Sequence, residues 1–135
     1  MMQESEELEF KTSFGEEAEI IESLCAFANR RGGTVMVGMN DNGEPVNHVI
    51  GKKAIEKLTT RIKENCDPVI YPSIVVKTHG LSEICEITVK EAEHKPVFVS
   101  GKALLRVGKS NVKLKVAEIR DMILKYAQPD FDNRL

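Results

Sequence analysis

Apolar and polar positions first alternate at Glu7-Leu-Glu-Phe-Lys11, which predicts a strand with Leu8 and Phe10 facing a core and Glu9 and Lys11 facing the other way. Ser13 followed by Glu16 is a helix-start signal. The period then changes to that of a helix over 16–31, with Ile20, Ile21, Leu24, Phe27 and Ala28 on one broad stripe. Gly32 or Gly33 can supply the left-handed residue that stops it. Thr34–Met39 is apolar on both faces, as in a central strand. Asn40-Asp-Asn-Gly43 is rich in side chains that bond their own backbone and predicts a turn, with a short strand over 46–50. A second helix is expected over Lys52–Asn65, carrying Ile55, Leu58 and Ile62 at helical spacing.

Beyond Pro68 and Pro72, which bracket an irregular link, four runs read as strands: Ser73–Thr78, Glu83–Lys90, Pro96–Ser100 and Ala103–Val107. His79–Ser82 separates the first two and Gly101-Lys102 the last two, as hairpin turns. A final helix near 115–127 aligns Val116, Ile119, Ile123 and Tyr126. The expected architecture is a single α+β domain over 1–127, with a mixed or antiparallel sheet packed on two or three helices, and a loose tail over 128–135. At 135 residues the chain has the size of one domain with a core of its own.

Composition narrows the function. A net charge of −2 and a pI near 6.0 exclude a globally basic nucleic-acid coat, so an anionic partner must be held by a local basic patch. Cys25, Cys66 and Cys85 form no CxxC pair and lie in or beside apolar runs; they are expected to be reduced and mostly buried, as in a cytoplasmic protein. The acidic N-terminus lacks the apolar core of a signal peptide, and no run is long enough to span a membrane. Five Phe, two Tyr and no Trp give little support to base stacking.

Three carboxylates draw attention. Glu4 and Glu9 flank the start of a strand and Asp41 follows the end of another; on neighbouring strands they can converge as an oxygen-only site for Mg²⁺ or Mn²⁺. The plain alternative is a solvated acidic run and a turn aspartate. Lys11 can neutralise a carboxylate or meet a phosphate. Asn29-Arg30-Arg31 ends a helix, where cations suit the helix dipole but also where arginines can grip a phosphate. Arg106-Val-Gly-Lys109-Ser110-Asn111 offers several donors near a glycine, yet Ala103 stands where a Walker A loop needs its first glycine, so a P-loop ATPase is not expected. His48, His79 and His94 are scattered, with no metal spacing among them.

Glu4-Ser-x-x-Leu-Glu9-Phe-Lys11, Cys25-Ala-Phe-Ala-Asn29-x-x-Gly32-Gly-Thr34, Val37-Gly-x-x-Asp41-x-Gly43, Lys95-Pro-Val-Phe-Val99 and Leu105-Arg-Val-Gly-x-Ser110-Asn111 follow one another in the order found in the Schlafen AlbA_2 domain, which the chain resembles over about 4–125. The resemblance implies an α+β fold and DNA or RNA binding, often within transcriptional regulators. It also implies a route to RNA cleavage in some animal relatives, where two such domains form a clamp and two glutamates and an aspartate act. By motif these would be Glu4, Glu9 and Asp41, with Asn40 standing where many relatives carry a further acid. A single domain would imitate the clamp as a homodimer.

Three expectations follow in order: a nucleic-acid-binding module using Lys11, Asn29, Arg30, Arg31, Arg106, Lys109, Ser110 and Asn111; a metal-dependent endoribonuclease using Glu4, Glu9 and Asp41; and a nucleotide-binding or interaction subunit of a larger assembly.

Overall fold

A computed structural model describes residues 2–47 and 49–127; the expected tail, 128–135, and His48 lie outside them. The strands form two four-stranded sheets. The first holds β1 (Leu8–Lys11), β2 (Gly32–Val37), β5 (Ser82–Lys90) and β4 (Ser73–His79), in the order β1-β2-β5-β4. The second holds β3 (Cys66–Asp67), β6 (Phe98–Val99), β7 (Lys102–Val107) and β8 (Ser110–Lys113), in the order β3-β6-β7-β8. Among the described strands only β1 and β2 pair in parallel, through α1 (Glu17–Ala28) as their crossover. The α+β fold is therefore as expected, with the strands divided between two sheets.

That division explains α1. A stripe of five residues was expected; Ser23, Cys25 and Ala26 are buried as well, because the helix lies between the sheets and packs on both. Ser13 caps a short 3-10 turn, Phe14–Glu16, that leads into it. Gly32 then has φ +86, and a Cβ there would meet Val89 O at 2.6 Å. At Gly33 a Cβ would strike the Phe27 ring at 2.7 Å. The two glycines let β2 leave α1 sharply and run tight against it. The main core joins α1, β2 and β5 to Leu58 and Ile62 of α2 (Lys52–Asn65). A smaller cluster of Phe10, Met36, Met39 and Ile84 fills the opposite face of the first sheet.

α2 has the bounds read from the sequence. The strand expected over 46–50 is absent among its described residues; Pro45 makes one isolated bridge to Met39, and Ile50 instead gives its N–H to Glu83. The turn before β7 lies at Ser100-Gly101, one residue early, so Lys102 already pairs with Val99. β8 occupies what reads as a loop. α3 (Val116–Lys125) buries no residue fully. No described helix is long and apolar enough to cross a membrane. All three cysteines are buried and free, with Cys25 Sγ 3.3 Å from Cys66 Sγ.

Candidate nucleic-acid interface

The pleat of β7 turns Arg106 inward, where it is fully buried. Its Nε donates to Ser5 O at 3.1 Å, and Nη2 to Leu8 O at 3.3 Å. Nη1 donates to Asn111 Oδ1 at 2.9 Å and pairs with Glu9 Oε1 at 2.6 Å. The guanidinium lies 4.9 Å from the centre of the Phe27 ring. Arg106 thus ties β1 of one sheet to β7 and β8 of the other, and it presents nothing to a ligand. An arginine suits this place because its planar fork serves several acceptors at once.

Glu9 is the anionic half of that tie. It is nearly buried, and its other oxygen lies 3.7 Å from Lys11 Nζ, which also reaches Glu19 at 3.7 Å. Burial and a hydrogen bond with Glu4 raise the Glu9 carboxyl above its ordinary value of 4.5, while Arg106 pulls it down. Glu4 also accepts the Phe10 N–H at 2.9 Å. Glu4 and Glu9 therefore meet as expected, but as part of a buried network.

Asn29 is buried too. Its Nδ2 donates to Val97 O and Leu104 O, and its Oδ1 accepts the Val97 N–H at 2.6 Å. The amide stitches the end of α1 to β7 and to the residue that precedes β6. Asn111 donates from Nδ2 to Ser23 Oγ at 3.0 Å. Arg30 pairs with Glu6 at 3.2 Å and reaches Arg106 O at 3.3 Å, and its Nε is buried without a partner.

The remaining predicted residues face outward. Lys109 and Ser110 are exposed at the β7–β8 turn, and Arg31 is exposed at the end of α1. Lys109, Glu4 and Asp41 line one pocket of about 820 Å³, with the N-terminal segment and the 41–44 turn as its walls. Arg31 and Arg30 line another of about 670 Å³, facing Lys125 and Tyr126 of the α3 end. So Glu4 shares a pocket with Asp41 and also meets Glu9, whose carboxylate pairs with Arg106. Among the described residues no three His, Cys, Asp or Glu side chains gather as a metal site would require.

Further basic side chains escape the motif reading. Lys113, at the end of β8 away from the turn that holds Lys109, and Lys115, just after it, are exposed, and none of the three makes an ion pair among the described residues. Their signal was charge distribution: residues 102–127 carry seven basic residues against two acidic ones, and residues 1–22 carry eight acidic residues against Lys11 alone. A net charge of −2 averages this away.

The profile of the family described as Schlafen, AlbA_2 matches residues 4–115, which hold every predicted site residue. The chain belongs to the Schlafen AlbA_2 family. Its α3 follows directly on the matched span. Two solved structures share the fold of this AlbA_2 domain. The DIP2311 protein of Corynebacterium diphtheriae superimposes with a TM-score of 0.67 at 20% identity, over 87% of this chain and 23% of its own. The N-terminal domain of a RecG-related protein of Nitrosomonas europaea, described by reference to an ATP-dependent DNA helicase, superimposes with a TM-score of 0.57 at 24% identity, over 85% of this chain and 87% of that domain. This chain thus spans under a quarter of the DIP2311 protein. No curated protein matches it.

Proposed function

We propose that this AlbA_2 domain is a nucleic-acid-binding module that grips the phosphate backbone with the β7–β8 hairpin. The observation that carries the reading is the row Lys109, Lys113 and Lys115: three exposed lysines on one hairpin and its exit, with no ion-pair partner among the described residues. A lysine cluster left without anions suits an anionic partner, whose binding releases condensed counterions. Arg31 and the Ser110 hydroxyl extend the same set of donors. Support also comes from the family and from the RecG-related protein that shares the fold. In this reading Arg106, Asn29 and Asn111 shape the hairpin and touch no ligand. The use of such a module in transcriptional regulation belongs to the same proposal.

The test is fluorescence anisotropy with labelled DNA and RNA across a KCl series. Wild-type protein should bind with an affinity that falls steeply between about 50 and 200 mM salt. Lys109→Glu with Lys113→Glu should weaken binding to all sequences alike. Affinity indifferent to salt and to both substitutions would refute the proposal.

A further inference from the structure

Tyr71 stands out among the aromatic residues. It is 87% exposed, on the segment that leads from β3 to β4. A ring left almost wholly in water has both faces open to a planar partner. Two clefts flank it. Tyr71, Val69 and Ile70 line one of about 220 Å³, closed by α2 at Thr59 and Lys63. The same three residues line another of about 610 Å³, bordered by Lys90 and by Glu93. The ring therefore forms a ridge between two recesses, each with a lysine on its outer rim.

Both lysines are exposed and neither is held in an ion pair among the described residues. Behind Lys63, α2 shows Lys52, Lys53 and Lys57 to solvent, also without ion-pair partners there. α2 carries five basic residues against Glu56 and Glu64 and is net positive beside an apolar, aromatic ridge. A base presents a π-face to a ring and sits next to phosphate charge, and single-stranded nucleic acid offers both with its bases unpaired. A duplex buries its bases, and a polyanion without bases satisfies only the lysines.

We propose that Tyr71 is a stacking platform for the bases of single-stranded nucleic acid, with Lys63 and Lys90 receiving the flanking phosphates. This rests on the nucleic-acid reading above and adds a second surface, separate in sequence from the β7–β8 lysines. It also favours unpaired strands as the substrate class.

The chain has no tryptophan, so Tyr71→Trp introduces a single reporter at an exposed position outside the core. Short single-stranded oligothymidylate should quench that tryptophan, whereas heparin, an anion without bases, should leave it unquenched. Tyr71→Ala should weaken oligothymidylate binding about five- to a hundredfold, and Tyr71→Phe should retain it. Lys63→Ala and Lys90→Ala should each make the salt dependence shallower by about one unit of slope. If wild-type protein binds oligothymidylate but Tyr71→Ala binds equally well and the tryptophan stays unquenched, stacking is overturned while the binding function stands. Failure of wild-type protein to bind any oligonucleotide would overturn both. Equal quenching by heparin would show a charge effect and overturn stacking.

Discussion

Arg106 and Lys109 lie three residues apart on one hairpin, and both look like phosphate donors in the sequence. The fold treats them oppositely. Arg106 is fully buried among Glu9, Ser5, Leu8 and Asn111, with Phe27 beneath it. Lys109 is exposed on the lip of a pocket and has no ion-pair partner among the described residues. A charge taken from water must be compensated inside the protein, whereas one left in water remains available to a ligand. A motif can therefore owe its pattern to the interior, and the ligand-facing residues are found by asking which charges the fold leaves unpaired.

The largest expected effect breaks the buried side of this contrast. Arg106→Ala leaves the Glu9 carboxylate and two backbone carbonyls without their partner, and should cost about 3–5 kcal/mol in urea unfolding. Arg106→Lys should recover only part of that loss, since an ammonium cannot span the same acceptors. A cost near zero would mean that Arg106 is not the tie between the sheets. Next comes Asn29→Ala, which orphans three buried backbone groups of Val97 and Leu104 and should cost at least about 2 kcal/mol. Lys109→Glu with Lys113→Glu should do the reverse: stability within about 0.5 kcal/mol of wild type, with nucleic-acid binding weakened.

The smallest effect concerns pH. Burial, helped by the hydrogen bond that the protonated carboxyl gives to Glu4, raises the folded-state carboxyl of Glu9 above 4.5. The folded protein then holds this proton more tightly than the unfolded chain, so the resulting stability is fully present below 4.5 and is lost as pH rises through the raised value. Glu9→Gln should flatten that part of the stability–pH curve, measured by thermal unfolding. A curve with the same slope in the variant would place the titrating group elsewhere.

Elements with a strong period were legible in the sequence. α2 has the bounds its apolar spacing gives, and β2 is central as its two-sided apolar run implies. Two sheets were not legible, because β3 has two residues and no periodic signal, and the run that holds β6, though read as a strand, does not say which sheet it joins. β8 was hidden for another reason: Ser110-Asn-Val-Lys113 is an exposed edge strand with polar side chains, and beside Gly108 it reads as a loop. At the site, the residues of the motif were legible but their direction was not. Alternation correctly sets Glu9 opposite Phe10, yet a residue facing away from one core can face a second sheet. Only the placement of β7 and β8 shows that the side expected to meet solvent is closed by Arg106.

The same distinction applies to the carboxylates. Glu4 and Asp41 share a pocket with Lys109, while Glu9 belongs to the interior.

The most direct measurement is the salt dependence of nucleic-acid affinity for wild-type protein and for the Lys109→Glu, Lys113→Glu variant, with unfolding curves recorded on both. The account predicts equal stability, weaker binding and a logarithmic salt slope shallower by about two in the variant. Identical slopes and affinities in the two proteins would contradict it.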